Sequence, residues 1–85
     1  MIYKYEFQYK HPEALRPEDG TIHEIVIRAE RGEYIPCPVP GDSVDFGDVA
    51  YKVLTRHFSY LKDFCCVNIV VTDLTEDEMD ARLKM

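Results

Sequence analysis

Residues 2–10 alternate without a break: Tyr3, Tyr5, Phe7 and Tyr9 fall on one parity, Lys4, Glu6, Gln8 and Lys10 on the other. A period of two with aromatics on one side predicts a strand with one buried face. His11-Pro12 ends it and Pro17-Glu18-Asp19-Gly20 reads as a turn, leaving room for one helical turn at residues 13–16. A second strand is predicted over residues 21–30. There Ile22, Ile25, Val26 and Ile27 break the alternation, which predicts partial cover on both faces. Arg31-Gly32-Glu33 turns the chain, and prolines 36, 38 and 40 remove every second N–H donor. That excludes a central strand and predicts an extended, polyproline-like crossing over residues 34–40.

Gly41-Asp42 leads into a short strand over 43–46, and Gly47-Asp48 has the composition of a two-residue II′ or I′ hairpin. The next strand, 49–60, starts with Val49, Tyr51 and Val53 on one face, whereas Leu54, Phe58 and Tyr60 sit on the other parity. A bulge near Thr55 or Arg56 would bring both sets inward. In the last strand, 64–72, Cys65, Val67, Ile69 and Val71 form one face and Cys66, Asn68, Val70 and Thr72 the other. A helix is predicted over 76–84. Thr75 is its N-cap, Glu78 completes a capping box, and Leu74 and Met79 form a hydrophobic staple. Glu76, Asp77 and Glu78 complement the positive end of the helix, and Arg82 and Lys84 the negative end. So short a helix is marginal alone, so Met79 and Leu83 are expected to dock it on the sheet. The elements together predict a mainly β fold: a strongly bent, five-stranded antiparallel sheet, or a small SH3-like or OB-like barrel, with one short C-terminal helix.

Composition narrows the function. The chain has 85 residues, 46% of them apolar and 31% charged, which suits one small globular domain and is too short for a TIM barrel or a full dinucleotide-binding fold. The net charge of −6 argues against nucleic acid as a partner. No apolar run approaches the roughly 20 residues that span a bilayer, and the first ten residues lack the apolar core of a signal peptide. Three cysteines, Cys37, Cys65 and Cys66, do not suit a closed disulfide framework and point to a reducing cytoplasm. His11, His23 and His57 are scattered, and no Cys-x-x-Cys pair exists, so neither a metal nor another cofactor is expected.

The run Val39-Pro40-Gly41-Asp42-Ser43-Val44, followed by Tyr51-Lys52-Val53, resembles a pattern in short SH3-like β-barrel proteins of bacteria and phages, most of them uncharacterised. In those proteins Pro-x-Gly-Asp-x-Val opens a strand, a hairpin follows, and Tyr-x-Val lies in the next strand. The resemblance spans about residues 36–72, implies the fold class, and brings no catalytic residue with it.

Among candidate sites, Cys65 with His57 is the one nucleophile–base combination that would make a small enzyme or metal protein. Cys65 in an apolar strand reads more simply as a small buried side chain. The Tyr3/Tyr5/Phe7/Tyr9 stripe would stack bases in an OB-like single-strand-binding module if it were open to solvent, and otherwise forms a core face. From Asp73 to Asp80 there are five acids and no base. Helix capping and solubility account for some of them. The sharper reading is a surface for a protein partner with a basic face, carried by Asp73, Glu76, Asp77 and Asp80, with Tyr34 and Ile35 of the proline loop as a second contact. The resulting expectation is a non-enzymatic, cytoplasmic β-barrel module that binds a protein. It would resemble phage-encoded modulators, such as anti-CRISPR inhibitors, that occupy a nucleic-acid-binding groove as acidic mimics.

Overall fold

A computed structural model of the chain describes residues 1–30 and 36–83. The elements run β1 (Ile2–Tyr9), β2 (His23–Arg28), β3 (Ser43–Phe46), β4 (Val49–Tyr60), β5 (Phe64–Asp73) and α1 (Glu76–Leu83). The strands form one sheet in the order β2-β1-β5-β4-β3. Three of its four pairings are antiparallel, as the sequence predicts, but β1 and β5 run parallel, so the sheet is mixed.

The parallel ladder makes the core. Its register sets Tyr3 beside Cys65, Tyr5 beside Val67, Phe7 beside Ile69 and Tyr9 beside Val71. The aromatic face of β1 and the apolar face of β5 therefore become one surface, in which Cys65, Val67, Ile69 and Val71 are fully buried. Tyr5 and Phe7 are 3% exposed, which makes the tyrosine stripe a core face. Tyr5 still satisfies its hydroxyl, which donates to the Pro36 carbonyl at 2.9 Å and ties the proline crossing to the concave side.

The resembling motif has a local physical meaning. Asp42 N–H returns to the Val39 carbonyl at 3.0 Å, with Pro40 and Gly41 in the middle positions and Gly41 at φ 95°. These are the requirements of a type II turn. The Asp42 carboxylate accepts the Val39 N–H at 2.8 Å, and the turn launches β3. In the β3–β4 hairpin the positive φ falls on Gly47 and not on Asp48, the pattern of a II′ turn rather than I′.

The predicted bulge exists one residue earlier than expected. The β4–β5 register slips between Val53 and Thr55. Val53 faces the core before the slip, and Phe58 packs against it after the slip. Leu54 does not join that inward set. It is the extra residue and lines a surface cleft on the opposite side with Lys52 and Thr72. The bulge bends the sheet until its two edges approach, and His23 of β2 stacks on Phe46 of β3 with ring centroids 4.5 Å apart. Phe7 meets Phe46 edge-on at 4.8 Å beneath them. The result is a nearly closed barrel.

Two expectations fail. The partial cover expected on both faces of β2 is absent from the outer one: β2 is an edge strand, Ile27 packs against the core, and Ile22, Ile25 and Val26 are exposed. Helix α1 does not dock through Met79, which is 46% exposed, and the Leu83 side chain lies outside the described residues. For β2 the reason is that the concave face is already filled by β1, β5 and the Pro36–Cys37 segment, so little apolar surface is left to cover it.

Ile69→Ala is expected to lower stability by about 2–5 kcal/mol, the usual cost of emptying a fully buried site. Val70→Ala, on the opposite face of the same strand, should cost clearly less; urea denaturation midpoints of the two variants test the assignment of faces.

Candidate interaction surfaces

The acidic segment begins at the end of β5. Asp73 does not stand free: its Oδ2 accepts the Tyr9 hydroxyl at 2.6 Å. That hydrogen bond, together with burial, pushes the Tyr9 hydroxyl up to about 12. Thr75 and Glu78 form the predicted capping box. The Thr75 N–H donates to Glu78 Oε1 at 3.0 Å, and the Glu78 N–H donates to Thr75 Oγ1 at 3.2 Å. Glu78 also pairs with Lys52 Nζ at 3.1 Å. The Thr75 N–H, and after it Lys52, hold the Glu78 carboxyl below its ordinary value of 4.5. Of the acids assigned to a partner, Asp73 is thus engaged within the fold, whereas Glu76, Asp77 and Asp80 are exposed on α1. Tyr34 and Ile35 lie outside the described residues.

Beneath the helix start is a cleft of about 370 Å³ lined by Lys10, Lys52, Leu54, Thr72 and Leu74, among others. Thr72 is 5% exposed, and its Oγ1 has no hydrogen-bond partner among the described residues.

The nucleophile–base combination is not assembled. His57 pairs with Asn68 and Cys65 with Tyr60, so the two side chains stand on opposite faces of the sheet. Burial raises the Cys65 thiol above its ordinary range, away from the thiolate that a nucleophile needs. Burial, with the nearby Glu6 carboxylate, does the same to Cys66. Among the described residues no three His, Cys, Asp or Glu side chains gather as metal ligands. No described helix is long and apolar enough to cross a membrane.

Sequence reasoning missed the exposed edge of β2. Its signal is the broken alternation around Ile25 and Val26, which predicts partial cover on both faces. The same pattern also suits an edge strand awaiting a neighbour.

Two outcomes follow from this geometry. The depressed Glu78 carboxyl favours the folded helix start above the ordinary Glu range and ceases to do so as pH falls below 4.5. NMR shifts of α1 should therefore show fraying on acidification, and Thr75→Ala should cost about 1 kcal/mol of helix stability at neutral pH. Because α1 is held at its first turn, the β-sheet melting transition should barely move. For the thiols, iodoacetamide at neutral pH should modify Cys65 far more slowly than a free thiol, and fast stoichiometric labelling would contradict its burial.

No protein-family model, curated protein or solved structure matches the chain.

Proposed function

We propose that the chain is a non-enzymatic binding module that presents helix α1 to a protein partner with a basic surface. The observation that carries this reading is how the helix is held. Its eight residues are fastened by the Thr75–Glu78 box and the Lys52 ion pair at the first turn, while Met79 is left open and Glu76, Asp77 and Asp80 point to solvent. A helix this short gains little stability in water by itself. A partner that covers Met79 and faces the carboxylates supplies the packing that the barrel does not. The charge also suits a partner whose groove ordinarily holds nucleic acid, the mimicry proposed for a phage-type modulator. The buried aromatic face supports protein rather than single-stranded nucleic acid as the ligand, and the three free thiols fit a cytoplasmic home.

The test is affinity capture on the immobilised chain at about 50 and 500 mM salt, since exposed charges are screened over about 8 Å near physiological ionic strength. A captured protein with a basic surface should be released at the higher salt. The variant Glu76→Gln/Asp77→Asn/Asp80→Lys leaves Asp73 and Glu78 in their structural roles. It should slow association by about tenfold or more with a smaller change in dissociation. A variant that keeps its helix by circular dichroism and binds at the wild-type rate and salt dependence would refute the reading.

A further inference from the structure

The unpaired side of β2 carries a second, independent surface. The phase of the β1–β2 ladder is set by Met1 and Ala29, which exchange both main-chain bonds at 2.9 and 3.0 Å. Stepping by two along the register, Ile27, Ile25 and His23 direct their N–H and C=O groups at β1. Glu24, Val26 and Arg28 therefore direct theirs at the open side, where no hydrogen bond reaches them from the described residues. Two apolar side chains lie open at this edge: Val26 is 57% exposed on the outer face and Ile25 36% exposed on the inner face. β2 itself contains no proline or lysine, and the opposite edge, β3, is only four residues long.

We propose that this edge pairs antiparallel with the β2 edge of a second copy, about a twofold axis through Val26. The register follows from two requirements. Outward-directed main-chain groups must meet outward-directed ones, and both sheets must keep the same face up, so the axis can move only from one residue to the next along the strand. An axis at Ile27 sets Glu24 against Glu30 of the second copy, and an axis at Ile25 sets it against Val26. An axis at Val26 sets Glu24 against Arg28, and by symmetry does so twice. It also sets Val26 on Val26 across the axis and Ile25 against Ile27 on the inner face, covering the apolar surface left open in the single chain. Arg28 is available for this pairing, since it makes no ion pair among the described residues, and Glu24 holds only a long, exposed contact of 3.6 Å with Lys4. Opposite charges directly across a ladder stabilise it and like charges oppose it.

Sedimentation equilibrium of the whole chain from about 10 μM to 1 mM tests the pairing, a range suited to an interface smaller than standard size. The wild type should associate to a dimer. Val26→Lys, at a solvent-facing position, should abolish it. Arg28→Glu should weaken it by about tenfold or more, because two attractive contacts become repulsive, and Glu24→Arg/Arg28→Glu should restore it to within about threefold. The Glu76→Gln/Asp77→Asn/Asp80→Lys variant should dimerise like the wild type, so failure here and failure of the helix reading are separate results. A wild type that stays monomeric across the range overturns the proposal and leaves the edge to a different chain. A dimer indifferent to Arg28→Glu, or not rescued by the charge swap, overturns it as well. Should Val26→Lys lose its β-sheet signal, the charge variants alone decide.

Discussion

The eight-residue parallel ladder between β1 and β5 is the constraint on which the rest of the molecule depends. Parallel neighbours cannot be joined by a tight turn. The strands between residues 10 and 63 therefore have to be laid down on the two sides of this central pair. β2 folds back against β1, and the β3–β4 hairpin folds against β5, so the two intervening units end as opposite edges of one sheet. The ladder also joins strands near the two ends of the chain, so the decisive contacts are the most distant in sequence. Folds of this kind form more slowly than those built from local pairs.

Closure of the barrel follows from where the sheet bends. The extra residue Leu54 switches the inward parity of β4 and lets Val53 and Phe58 face the same interior. The Phe7, His23 and Phe46 rings then meet at one end and bring β2 to β3. Among the described residues no hydrogen-bonded pairing joins those strands, and the Tyr5 hydroxyl holds Pro36 over the concave face. A small domain has little apolar surface to distribute. Here it is concentrated on β1 and β5, so the edge strand and the terminal helix are left partly open. Both proposed contact surfaces are consequences of that shortage.

The acidic run divides into acids with different tasks. Asp73 and Glu78 are tied to Tyr9, Thr75 and Lys52 and define where the helix starts. Glu76, Asp77 and Asp80 are exposed on α1 and carry the charge of the proposed partner surface. Composition alone treats these five acids as equivalent, and only the hydrogen bonds separate structure from surface.

Local chemistry in the chain itself determined the elements. Alternation marked β1 and β5, Gly47-Asp48 marked the hairpin, Pro40-Gly41-Asp42 marked the turn into β3, and Thr75 with Glu78 marked the helix start, because each depends on neighbours within four residues or on a simple period. The mainly β class followed from those elements, as did the change of parity in β4, though Leu54 itself was assigned to the wrong face. What only the tertiary structure decided was anything set by competition for neighbours. Strand direction and order depend on which strand occupies the sheet centre, a choice between distant segments that no short window contains. For the same reason Ile25 and Val26 look like core residues in sequence yet lie on an open edge, and Met79 looks like an anchor yet faces water. An apolar side chain is buried only when the fold has a surface left to bury it against.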